Sequence, residues 1–234
     1  MRSGEAGPPW GVPAAVKDMG KTGSFRICAI GKTGSLRACA IVLVALALCL
    51  PTSASGVGSL TFGTVPALPA LPAVALNAHS QTTHATMANF SVADTTGEGK
   101  GWNVTAAGQS GSGKSAVFAQ YCPEAAGCGG DALGYVAAGK TLEAKSLTLN
   151  TTGASFTGGT GSAPTLKCGA TCAIDSAAAV KIASAATGGA GASTWTTTGF
   201  SATSITLTTK TTLKTLPAAE VYRVNILWTL ATGP

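Results

Sequence analysis

The sequence predicts an all-β fold, an antiparallel β-sandwich with short loops, and three observations carry that expectation. Apolar and polar residues alternate with period two in several short segments, as strands buried on one face do. Gly-rich stretches such as Gly158–Pro164 and Gly188–Ser193 punctuate those segments at short intervals. Almost nothing reads as a helix, and the chain is rich in Gly, Ala, Ser and Thr, with only 10% charged residues.

Residues 1–55 read as an export region ahead of the domain. Arg26, Lys32 and Arg37 precede the apolar run Ala38–Leu50, which is followed by Pro51 and the small residues Thr52–Gly56. A basic segment, a short apolar core and a small-residue site describe a secretory signal peptide, with cleavage expected after Ala54 or Ser55. The run is shorter than the roughly 20 apolar residues of a bilayer span, so no membrane association is expected after cleavage. An uncleaved anchor is the competing reading. Within this region Gly20–Ile30 and Gly31–Ile41 are tandem copies, and Met19 is a candidate start.

Setting the leader aside changes the charge. The whole chain carries a formal +6, but residues 56–234 hold nine basic and seven acidic side chains, a net +2. No basic patch points to nucleic acid. Residues 56–234 are enough for one sizeable core. Residues 56–85, rich in Pro and Ala, are expected to form an extended lead-in and an edge strand, and 86–234 the main β domain.

Within that domain the alternation is explicit. Phe90 and Val92 flank Ser91, and Trp102, Val104 and Ala106 interleave with Asn103 and Thr105. Leu147 and Leu149, then Ile205 and Leu207, alternate with Ser, Thr and Asn. The longest run puts Tyr222, Val224, Ile226, Trp228 and Leu230 on one face and Arg223, Asn225 and Thr229 on the other. Asp175–Ala186 fits either a short helix or a strand. Four cysteines remain in the domain, and an even number in an exported chain implies two disulfides. The local pairs Cys122–Cys128 and Cys168–Cys172 are favoured, each contributing about 2 kcal/mol by loop-closure entropy. A four-thiolate zinc site is the weaker alternative, because the spacings are not those of ligand knuckles.

One motif invites an enzymatic reading. Gly108–Ser115 spells G-Q-S-G-S-G-K-S, which matches the phosphate-binding loop pattern in every letter. Such a loop needs a buried parallel strand before it and a helix after it. Here an alternating strand precedes it, and Pro123 with a cysteine loop follows within two turns. The motif is therefore expected to be a β-turn, with no nucleotide bound. His79 and His84 lack the spacing of a zinc motif and are expected to be solvated in a polar loop. Asp94, Glu98, Glu124, Asp131, Glu143, Asp175 and Glu220 form no recognisable acid/base pair, and no G-x-S-x-G elbow is present. No cofactor, metal or catalysis is expected. Asn89, Asn103 and Asn150 head glycosylation sequons.

The two ends of the domain carry a resemblance. Asp94 is followed by spaced glycines and then Gly101-Trp102-Asn103-Val104, and the final strand carries Tyr222, then Trp228-Thr229-Leu230. This pattern resembles the WxL domain of bacterial cell-wall surface proteins over most of residues 58–234. The first motif departs from it by having Val104 in place of Leu. The resemblance implies a secreted β-rich domain held noncovalently at peptidoglycan, sometimes beside other surface proteins. It makes Trp102, Val104, Tyr222, Trp228 and Leu230 the candidate binding residues. Physics gives the same residues a second reading, since Trp-x-aliphatic on an alternating strand is ordinarily core. The leading expectation is a noncatalytic wall-binding module. The alternatives are a structural or adhesive subunit that binds another surface protein through a strand edge, and an exported enzyme whose acids meet in space.

Overall fold

A computed structural model describes residues 58–74, 77–123 and 128–234. The expected signal peptide, its tandem copies and Cys28, Cys39 and Cys49 lie outside the described residues, as does Glu124. The described residues form an all-β unit without helices. In chain order the strands are β1 (Leu60–Thr64), β2 (Gln81–Ala85), β3 (Ser91–Asp94), β4 (Trp102–Gly108), β5 (Ala119–Cys122), β6 (Gly134–Tyr135), β7 (Leu147–Leu149) and β8 (Ser155–Thr160). They continue as β9 (Thr165–Leu166), β10 (Cys172–Ala173), β11 (Val180–Ala185), β12 (Ala192–Thr198), β13 (Ile205–Thr209), β14 (Val221–Arg223) and β15 (Ile226–Thr232).

They assemble into three four-stranded sheets, ordered β1-β3-β12-β8, β10-β7-β13-β2 and β15-β4-β11-β9, and a small sheet, β14-β5-β6. Every pairing is antiparallel. The alternation read from the sequence is the reason these segments become strands. On β4, Trp102, Val104 and Ala106 are buried, while Asn103, Thr105 and Ala107 lie half-exposed on the other side. The sheets close on one core. Phe90, Val92, Phe156 and Trp195 enter it from the first sheet region, Leu147, Leu149, Ile205 and Leu207 from the second, and Trp102, Val104, Ala106 and Ile182 from the third. Phe156 joins the layers, lying edge-on to Phe90 at 5.9 Å and to Trp102 at 5.8 Å between ring centroids. Each such pair adds about 1 kcal/mol beyond the burial of its area.

Both disulfides join the pairs expected from spacing. Cys122–Cys128 spans 5.7 Å between Cα atoms and Cys168–Cys172 spans 5.3 Å. The second closes the loop that leads into β10, whose Cys172 faces Leu149 of β7. A loop that short restricts the unfolded chain and the approach to a two-residue edge strand.

Several expectations change in detail. Val180–Ala185 is strand, which resolves the 175–186 segment; its last four residues are buried, so sheet pairing and core contacts outweigh the helix propensity of its alanines. The lead-in contributes two edge strands, β1 and β2, in different sheets. His84 lies on β2, with Nδ1 3.0 Å from Thr206 Oγ1 across the ladder, and is not in a loop. Ser91 is buried, because β1 crosses it at a bulge and its Oγ accepts the Thr64 N–H at 2.7 Å. The final alternating run is not one strand. It divides into β14 and β15, which belong to different sheets. Asn225 stands at the break, where its N–H donates to Ser115 O at 2.9 Å and its C=O accepts from Gln109 N–H at 2.7 Å. Its backbone groups thus hold the 109–115 loop instead of continuing a ladder.

Candidate functional site

The residues singled out by sequence divide by depth. Trp102 is 0% exposed, and its indole N–H donates to Gly191 O at 3.1 Å. Gly191 makes this seat possible. Its φ is +72°, and a Cβ there would lie 2.6 Å from Trp102 Nε1 and 2.4 Å from the Ala185 Cβ. Val104 is also fully buried. Across the ladder, Trp228 faces Ala106, Leu230 faces Val104 and Thr232 faces Trp102. The two Trp-x-aliphatic motifs therefore lie on neighbouring antiparallel strands and point inward together, since directly opposed residues share a face. Trp228 and Leu230 are half-buried, with the Trp228 ring 6.5 Å from that of Phe90.

This corrects the surface reading of two residues. Trp102 and Val104 offer no area to a partner, because β4 lies between β15 and β11 and its inner face is covered by Phe156. Trp228 and Leu230 keep some exposure because β15 is an edge strand. Tyr222 is not part of this face at all.

Tyr222 belongs to the small sheet, and there the open side chains gather. Val221 faces Tyr121, and Tyr121 faces Tyr135, so the three project on one side. Arg223, two residues beyond Val221, joins them with its guanidinium 4.5 Å from the Tyr121 ring centroid. The Tyr121 and Tyr135 rings meet edge to face at 5.0 Å. Val221 is 46% exposed and the rings and Arg223 are half-buried. The Tyr135 hydroxyl donates to Asn225 Oδ1 at 2.5 Å, and the Ser115 N–H approaches the same oxygen at 3.3 Å. Burial pushes the Tyr135 phenol above 10.0, with the Arg223 guanidinium pulling the other way. Burial likewise raises Tyr222. Both are neutral hydroxyls at pH 7.

The opposite side of the small sheet is polar. The buried Gln120 amide donates to Glu220 Oε2 at 2.5 Å and to Asp131 Oδ2 at 3.4 Å, while its Oε1 accepts the Lys140 N–H at 2.9 Å. Two carboxylates that the sequence left apart are thus brought to one amide. Tyr222 shares this side and lines a cleft of about 310 Å³ together with Lys140, Thr141, Thr212 and Lys214. Its hydroxyl donates to Lys214 O at 2.9 Å.

The Gly108–Ser115 stretch is a turn. Lys114 N–H donates to Gly111 O at 3.1 Å, with Gly113 at φ +68°. Gly108 is needed for close packing, since a Cβ there would lie 2.1 Å from Ala116 O. No helix follows, and the lysine is exposed. Sequence reasoning missed Tyr121, Tyr135 and Arg223. The alternation Tyr121, Gln120, Ala119 was a usable signal, but its strand partners lie far along the chain. Comparison with models of known protein families, with curated proteins and with solved structures finds no match.

Proposed function

We propose that this chain is a secreted, noncatalytic surface protein that associates noncovalently with the peptidoglycan of a bacterial cell wall. The observation that carries the proposal is the open face of the small sheet, where Tyr121, Tyr135, Val221 and Arg223 stand together. A sugar ring presents a flat array of polarised C–H groups on one side and hydroxyls at its rim. Half-exposed aromatic rings meet the first, and a guanidinium with its five donors meets the second. The resemblance to WxL domains supplies the class of partner, and the adjacency of the two Trp motifs on β4 and β15 supports it. In this reading the Trp motifs build the frame and the small sheet makes the contact.

The test is sedimentation of the purified protein with cleaned peptidoglycan. The wild type sediments, and a folded Tyr121→Ala/Arg223→Ala variant stays in the supernatant. A second reading, binding to another surface protein through a strand edge, is favoured by β15, an edge strand whose outward Leu227 is 45% exposed. If the wild type sediments only when other wall proteins are retained on the peptidoglycan, that reading replaces the first.

A further inference from the structure

The groove on the other side of the small sheet has different chemistry from the aromatic face. We propose that it is a second binding site, for a linear polymer of hydroxylated units joined by phosphodiesters. The main cleft of about 310 Å³ has Lys140 and Lys214 on its walls, with the hydroxyls of Thr141, Thr212 and Tyr222 beside them. A smaller cavity of about 50 Å³ shares Thr141 and Thr212 with it and is lined by Lys210, which is ion-paired with Glu143. Two neighbouring cavities thus have three lysines in their linings, one of them paired with the Glu143 carboxylate. Residues 56–234 have only two more basic than acidic side chains, so this is a local concentration of charge and not a result of composition.

The side chains also restrict the class of ligand. Lys140 Nζ donates to Thr215 O at 2.6 Å, which anchors the ammonium at the wall and leaves two of its three protons free. Tyr222 uses its proton on Lys214 O, so its oxygen can only accept, as a ligand hydroxyl would require. Apart from the Tyr222 ring the main cleft is lined by small or polar side chains, which suits a hydrated, hydroxyl-bearing ligand, while Leu142 and Leu213 line the smaller cavity. The main cleft contains no arginine, so its cations are compact ammonium point charges and not planar forks. Ammonium point charges with hydroxyls beside them suit a hydroxylated chain that carries phosphodiester charges. Asp131 and Glu220 do not line the cleft; the Gln120 amide holds both.

The experiment titrates the protein with soluble poly(glycerol phosphate) at low salt, following heat. It compares the wild type with Lys140→Gln/Lys210→Gln/Lys214→Gln and with a charge-matched control, Lys114→Gln/Lys167→Gln/Lys181→Gln, whose three lysines are exposed elsewhere. Loss of three exposed ion pairs together is expected to weaken binding about tenfold or more, while the control binds as wild type does. Alginate, a polycarboxylate, and uncharged dextran are expected not to bind. Equal weakening in both triple variants would show a nonspecific charge effect and overturn the site, as would a groove variant that binds unchanged. Equal binding of alginate would overturn the phosphodiester assignment. Competition by inorganic phosphate at matched phosphate concentration would reassign the groove to a free anion. The groove variant is expected still to sediment with phosphate-free peptidoglycan, and loss of sedimentation would mean that the two sites are not separate. Phosphate-polymer binding by a protein that fails to sediment would leave the groove standing and remove the peptidoglycan proposal alone.

Discussion

Replacing Asp175 by asparagine removes a charge that the fold holds in an unfavourable place. Asp175 is 0% exposed, at the point where the end of β10 meets the start of β7. Its Oδ2 accepts the Ser146 N–H at 2.9 Å, and its Oδ1 has no hydrogen-bond partner among the described residues. Burial raises its pKa from 3.8 to about 6; the amide dipoles of Leu147, Asp175, Ser146 and Lys145 lower it without cancelling the effect. At about 1.4 kcal/mol per tenfold change in proton affinity, the shift corresponds to about 3 kcal/mol. The folded state favours the protonated acid, so its contribution is full below the unfolded value of 3.8 and is lost as pH rises through about 6. Asparagine does not titrate and keeps an oxygen for Ser146, although its amide group carries a pH-independent cost of its own. The stability of Asp175→Asn relative to wild type should therefore rise by about 3 kcal/mol between about pH 3.5 and pH 7. Urea unfolding of both proteins across that range measures the difference, in which the other carboxylates cancel. A difference that stays flat with pH would refute the buried-carboxylate reasoning.

Three further predictions test the frame. Trp102→Ala should cost about 3–5 kcal/mol in urea unfolding, since it empties a sealed site. Half-buried Trp228→Ala should cost about half that and leave peptidoglycan sedimentation intact. A folded Trp228→Ala that no longer sediments would place β15 in the binding surface. Reducing both disulfides should lower stability by about 4 kcal/mol, about 2 for each short loop, read as a shift of the urea midpoint with and without reductant. An unchanged midpoint would refute the loop-entropy contribution assigned to the two bonds.

Local features were legible because their causes are local. Period-two alternation identified the strand segments at Trp102–Ala106, Leu147–Leu149 and Ile205–Leu207, and close spacing favoured Cys122–Cys128 and Cys168–Cys172. The wrong context around Gly108–Ser115 marked it as a turn. Alternation tells which side chains share a face, but not which face is covered. That depends on strand order, which pairs segments far apart in the chain. Only the tertiary structure sets Trp102 beneath Phe156 and lays β15 beside β4. Only it breaks the final run at Asn225, where backbone groups are spent on the 109–115 loop, so that Tyr222 leaves the face of Trp228. The same long-range pairing brings Tyr121, Tyr135 and Arg223 together and puts Lys140 and Lys214 in the lining of one cleft. Sequence determined the strands and their covalent ties; the order in which those strands pair decided which side chains are covered and which stay open.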